Sequence, residues 1–120
     1  MLSPETIEHI IQTIVEHIQP QKIFMYGSYV YGQPTEDSDL DILIISESDL
    51  PRYKRARAIH RLFNPYPCPM DILIYTPKEV ARFRDHPAAF IHTVMEKGAL
   101  VYDGCRFFAF SDITKEVRYG

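Results

Sequence analysis

Three shortages narrow the reading of this chain before any motif is considered. Cysteine is scarce: Cys68 and Cys105 are the only two, they share no metal-ligand spacing, and Cys68 stands between Pro67 and Pro69. Both are expected to be reduced structural or surface thiols of a cytoplasmic protein. Positive charge is not in excess, since 13 Lys and Arg face 16 Asp and Glu for a net charge of -3. That balance disfavours a general nucleic-acid coat and leaves room only for a local basic patch. No apolar run is long enough to span a bilayer, and no secretory leader is legible, so no membrane role is expected. At 120 residues there is one domain with a modest core and no room for a second, substrate-binding domain.

What is present alternates helix and strand. Ser3-Pro4-Glu5 is a helix start, and Ile7, Ile10, Ile11, Ile14, Val15 and Ile18 recur at helical spacing, with His9 and His17 outward and too far apart for an i, i+4 metal pair. Pro20 ends that helix and residues 23–26 form a strand. A strand over residues 40–45 is apolar on both faces beyond Asp41, the pattern of a strand covered by helices on both sides. Pro51 begins a helix with Ala56, Ile59 and Phe63 inward and with Arg52, Lys54, Arg55, Arg57 and Arg61 on a basic outer side. That side reads either as a solvated face or as a contact surface for triphosphate, RNA or an acidic partner. Residues 70–75 form the next strand, parallel to the one before. Thr76-Pro-Lys-Glu79 is a capping box, and a further helix carries Phe90, Ile91, Val94 and Met95 inward until Gly98. Residues 100–102 read as a short edge strand or extended segment. The expected order is αβαβαβαα, an α/β arrangement over residues 1–104, followed by a tail, 105–120, whose aromatic run Phe107-Phe-Ala-Phe110 packs on the body or forms an interface.

The chemistry concentrates between Phe24 and Ile45. Gly27-Ser28 follows the first strand, and a helix starting there presents unsatisfied amide N–H groups to anionic oxygens. Ser28 either caps that helix or donates its hydroxyl to phosphate. Side chains two apart on a strand share a face, so Asp39 and Asp41 point the same way with Leu40 between them. Two carboxylates about 4 Å apart repel by about 1 kcal/mol in water and about 4 kcal/mol at a protein surface. A proton or a hard cation such as Mg2+ or Mn2+ relieves that repulsion. The run Asp41-Ile-Leu-Ile-Ile is echoed by Asp71-Ile-Leu-Ile-Tyr, and parallel neighbours that each begin with Asp bring Asp71 to the same edge. Each part alone has a plain structural explanation: a strand-to-helix turn, an acidic turn, a strand-end charge.

Together, Gly27-Ser28, the ten residues Tyr29 to Ser38, Asp39-Leu-Asp41 and the later Asp71 resemble the minimal nucleotidyltransferase domain of the DNA-polymerase-beta-like superfamily. The resemblance runs from Ser3 to about Gly104 and implies a small mixed sheet flanked by helices with the site at one edge. It implies that Asp39, Asp41 and Asp71 hold two Mg2+ ions, with Mn2+ as a substitute, and that Gly27 and Ser28 grip the phosphates of ATP or another nucleoside triphosphate. The departure from the family's common form is Tyr29 and Tyr31 where Arg residues often follow Gly-Ser. Small free-standing members are often antitoxins beside a HEPN-domain toxin, which implies AMP transfer to a tyrosine of that partner. The alternatives are an antitoxin that acts by occlusion alone and an antibiotic nucleotidyltransferase, which normally carries an added helical domain. An open-edged domain of this size is expected to lean on a partner or on a second copy of itself.

Overall fold

Apolar side chains buried on both faces of the sheet set the plan, and every residue from Ile42 to Ile45 is buried. The computed structural model describes residues 2–108. Helix α1 (Pro4–Ile18) starts at Ser3, whose hydroxyl accepts from the Thr6 amide, and buries Ile7, Ile10, Ile11 and Ile14 along one stripe. Strand β1 (Lys22–Tyr26), the one-turn helix α2 (Ser28–Tyr31) and strand β2 (Leu40–Ile45) follow. A 3-10 turn (Arg52–Lys54) and helix α3 (Arg57–His60) lead to β3 (Met70–Tyr75). Then come α4 (Pro77–Phe83), α5 (Phe90–Lys97), β4 (Ala99–Asp103) and β5 (Arg106–Phe107).

The sheet is mixed, in the order β3-β2-β1-β4-β5. Only β2 and β3 are parallel, as the repeated Asp-Ile-Leu-Ile segment and the intervening crossover require. Helices cover both faces. Ile23, Met25, Ile42, Ile44, Ile72 and Ile74 pack with the stripe of α1, with Val30 and with Ile59. On the other face Phe24, Tyr26, Leu43, Ile45 and Tyr75 pack with Val80, Ile91 and Val94 of α4 and α5. Each fully buried isoleucine contributes about 1.5–3 kcal/mol, which explains why both faces of β2 are apolar.

Three expectations are corrected. The helix expected from Pro51 is a 3-10 turn followed by a four-residue helix; Ile59 is buried, but Ala56 and Phe63 are only partly covered. Residues 99–103 are not at an edge, because β4 pairs β1 on one side and β5 on the other. Phe90 is 40% exposed rather than turned inward, since it is the first residue of α5, lying beyond its buried stripe of Ile91 and Val94. On α5 the His92 Nδ1 lies 2.9 Å from the Arg84 carbonyl oxygen and ties that helix back to the end of α4. Part of the tail expected to pack or form an interface does pack, with Phe107 of β5 against the Tyr102 ring; residues 109–120 lie outside the described residues.

Candidate active site

The register of the sheet places the sequence-predicted acids. Tyr26 pairs with Asp41 across β1 and β2, and Asp41 pairs with Asp71 across β2 and β3, so one row crosses three strands at one edge of the molecule. Odd-numbered positions of β2 and β3 share the face covered by α4 and α5, and Asp39, just before β2, shares their parity. The loop that delivers Asp39 is closed on itself: the Thr35 amide donates to Ser38 Oγ at 2.9 Å and the Ser38 amide to the Thr35 carbonyl at 3.1 Å. The Leu40 amide then donates to the Pro69 carbonyl at 3.0 Å and fixes the start of the parallel pair.

Gly27 stands directly over this row. It adopts φ 81° and ψ -160°, a conformation nearly confined to glycine, and a Cβ there would lie 2.0 Å from Asp41 Oδ2. The turn and the carboxylate are therefore in direct apposition, which the sequence motif implies but cannot measure. Ser28 is not the cap of α2. Gly27 occupies that position without a side-chain hydrogen bond, and Ser28 is the first helical residue, leaving its hydroxyl available for a ligand.

Electrostatics follow from the crowding. Burial first, then the charges of Asp71 and Asp39, push the Asp41 carboxyl up to about 6. Asp39 also faces the segment before β3: burial and the charge of Asp39 push the Cys68 thiol up. Tyr26 is raised by burial and then by Asp71 and Asp41, so its hydroxyl lies among the acids and keeps its proton. Among the described residues, no three carboxylate, imidazole or thiolate groups already converge as a closed metal cage would need. The donor chemistry nevertheless fits a divalent cation: the carboxylate oxygens of Asp39, Asp41 and Asp71 are hard ligands that share one face.

The basic segment proves structural in part. Arg55 Nη1 donates to Glu79 Oε1 at 2.6 Å and to the Ile74 carbonyl at 3.0 Å, while its Nε donates to the Leu50 carbonyl at 2.8 Å. Arg52 Nη2 donates to Glu79 Oε2 at 3.1 Å and its guanidinium lies 4.2 Å from the centre of the Tyr75 ring. Glu79 closes the predicted capping box with Thr76. Burial alone would raise Glu79, but the hydrogen bonds from Arg55, the Thr76 amide and Arg52 outweigh it and hold the carboxyl at about 2. Neither arginine is therefore a freely solvated charge. Tyr29 is likewise structural, buried with its hydroxyl accepting from the Leu2 amide at 3.2 Å, whereas Tyr31 is 51% exposed. Tyr26 belongs to the row of Asp41 and Asp71 and is the member that the sequence did not single out. Its apolar neighbours make it look like an ordinary strand residue, and the only clue was its place next to Gly27.

Hollows among the described residues lie on both faces of the sheet. One of about 160 Å3, lined by Arg52, Tyr75, Phe83, Ala89, Phe90 and Ile91, opens on the face that carries the acids. The larger, about 370 Å3, lies on the opposite face between α1 and the end of the sheet, and none of Asp39, Asp41 and Asp71 lines it.

The five-stranded mixed sheet flanked by helices matches the fold of solved structures of nucleotidyltransferase type. The chain matches the nucleotidyltransferase domain family over residues 7–101 and belongs to it. A search of curated proteins finds no match. Among solved structures, the chain is similar to a provisionally assigned nucleotidyltransferase from Sulfolobus solfataricus, with 15% identity, TM-score 0.61, and 88% of this chain and 84% of that one covered. It is also similar to a toxin–antitoxin structure containing AMP-PNP, at 17% identity and TM-score 0.57, covering 98% of this chain and 86% of that one. A third similarity, at 15% identity and TM-score 0.54, covers 98% of this chain and 85% of a toxin–antitoxin MntA–HpeT mutant in which two aspartates are changed to glutamate. At these identities the likeness establishes the fold.

Proposed function

We propose that this chain is an antitoxin that transfers AMP from ATP to a tyrosine hydroxyl of a partner toxin of the HEPN class. The observation that carries the reading is the apposition of the Gly27 turn to Asp41, itself paired with Asp71. The family assignment supports nucleotidyl transfer, and similarity to toxin–antitoxin structures, one with AMP-PNP, supports the donor and the partner. Two free thiols, Cys68 and Cys105, are consistent with the cytoplasm.

In this reading Gly27 lets the backbone come close to the phosphates, and Ser28 Oγ with the first amides of α2 receives their oxygens. Asp39, Asp41 and Asp71 are the residues that would hold two Mg2+ ions, or Mn2+. Bound there, the metal supplies positive charge to the phosphoryl oxygens and acidifies the acceptor hydroxyl. The acceptor oxygen forms its bond to the α-phosphorus as the α–β anhydride bond breaks; pyrophosphate leaves and Asp71 takes the hydroxyl proton. The open edge of β3 and residues 105–108 are surfaces on which a toxin, or a second copy of the chain, would complete the domain 1–104.

Occlusion without catalysis is the second reading. It draws on the pinning of Arg52 and Arg55 to Glu79, which takes two cations out of free circulation for a triphosphate. Cells carrying the toxin separate the two. With Asp39→Asn and Asp41→Asn together, protection is lost if transfer neutralises the toxin and retained if occlusion does. The purified toxin should gain the mass of one AMP only with the unsubstituted protein, ATP and Mg2+; an unchanged mass overturns the transfer reading.

A further inference from the structure

The Tyr26 hydroxyl is a buried side-chain polar atom with no hydrogen-bond partner among the described residues. The residue is 9% exposed, so open solvent does not take the place of that partner. Leaving a buried donor unmade is costly, and a phenylalanine would fill the same space without the cost. Its ring is already held as a phenylalanine would be, edge-on to Phe90 with the centroids 5.3 Å apart, and packed with Phe24, Leu43 and Tyr75. The hydroxyl is thus the one part of the side chain that packing does not explain.

Its position suggests what would pair with it. Tyr26 immediately precedes Gly27 and pairs with Asp41 in the row that ends at Asp71. A phenol in that place is a neutral donor among acids, suited to an oxygen that approaches the same edge. The apolar layer around the ring fixes where the donor lies before any ligand arrives, so little side-chain freedom is lost on pairing.

Building on the nucleotidyl-transfer reading, we propose that Tyr26 is a further ligand-binding residue of this edge, its hydroxyl donating a hydrogen bond to a phosphate oxygen of the bound nucleoside triphosphate. In the free protein the donor is held unpaired, and the ligand satisfies it.

Tyr26→Phe separates this role from a structural one. Thermal unfolding of the metal-free protein should leave the variant equal to or above the parent, because no native hydrogen bond is removed. Titration calorimetry with AMP-PNP and Mg2+ should show binding weakened about tenfold, with a similar loss for inorganic tripolyphosphate and Mg2+. Mn2+ alone should bind both proteins equally. A lower unfolding temperature for the variant would overturn the proposal, since the hydroxyl would then be paired in the free protein. Weaker binding of Mn2+ alone would overturn it too, making Tyr26 a residue that positions the carboxylates. Loss with AMP-PNP but not with tripolyphosphate would move the contact off the phosphates. Equal AMP-PNP binding by both proteins sinks this proposal alone, whereas failure of the parent to bind AMP-PNP sinks the transfer reading with it.

Discussion

Asp41 and Gly27 carry opposite kinds of tension, and each gives a measurement. The Asp41 carboxyl sits at about 6 in the folded protein against its ordinary 3.8, so between those values the folded state binds the extra proton. This group's effect is therefore neutral below pH 4 and becomes destabilising as pH rises through about 6. With EDTA present, Asp41→Asn should unfold at a higher temperature than the parent at pH 8 and at the same temperature at pH 4. The gain is about 1 kcal/mol once solvent screening of a partly exposed carboxylate is allowed for, and a lower unfolding temperature at pH 8 would contradict the electrostatic account. At Gly27 the conflict is steric. Gly27→Ala should cost about 2 kcal/mol in denaturant titration and should also remove the stabilisation given by Mg2+ and AMP-PNP. A variant that folds and binds nucleotide normally would show that the close approach to Asp41 is not needed.

Arg55 and Glu79 bring together elements that local sequence reading treats separately. Arg55 lies between the 3-10 turn and α3 and bonds to β3, to α4 and to the loop before the turn. Arg55→Ala strands two carbonyls and leaves Glu79 with only Arg52 and the Thr76 amide, and should cost about 2 kcal/mol. Arg57→Ala and Arg61→Ala, on exposed positions of the same segment, should stay within about 0.5 kcal/mol. Equal effects in urea denaturation would contradict the distinction. The contrast also shows what the sequence could and could not tell. Local signals were readable: the Ser3 cap, the Thr76–Glu79 box, the period of α1, and the doubly apolar β2. The Asp41–Asp71 pairing was readable as well, because a repeated segment across a crossover fixes a parallel register. The long-range contacts were not. Nothing local distinguishes Arg55 from Arg57, or reveals that β4 lies inside the sheet, since both depend on which distant carbonyl or strand arrives alongside. Tyr26 escaped for the same reason, its hydroxyl being unusual only once its neighbours are known.

For the whole molecule, the sheet works as a frame that brings one acid from the loop, one from β2 and one from β3 to a common edge, under a glycine turn supplied by β1. The apolar layers on both faces hold that edge in place. A ligand that binds only the folded state should stabilise it by about 2.7 kcal/mol at a hundredfold excess over Kd. AMP-PNP with Mg2+ should do so, and AMP-PNP with EDTA should not; equal stabilisation by the two would separate nucleotide binding from the carboxylates. The most direct measurement follows the label from ATP to the toxin. With ATP labelled at the α-phosphate, label should pass to the toxin in Mg2+, and Asp41→Asn should abolish it, while ATP labelled at the γ-phosphate should leave the toxin unlabelled. Label arriving from the γ-phosphate, or α-label still transferred by Asp41→Asn, would contradict the account.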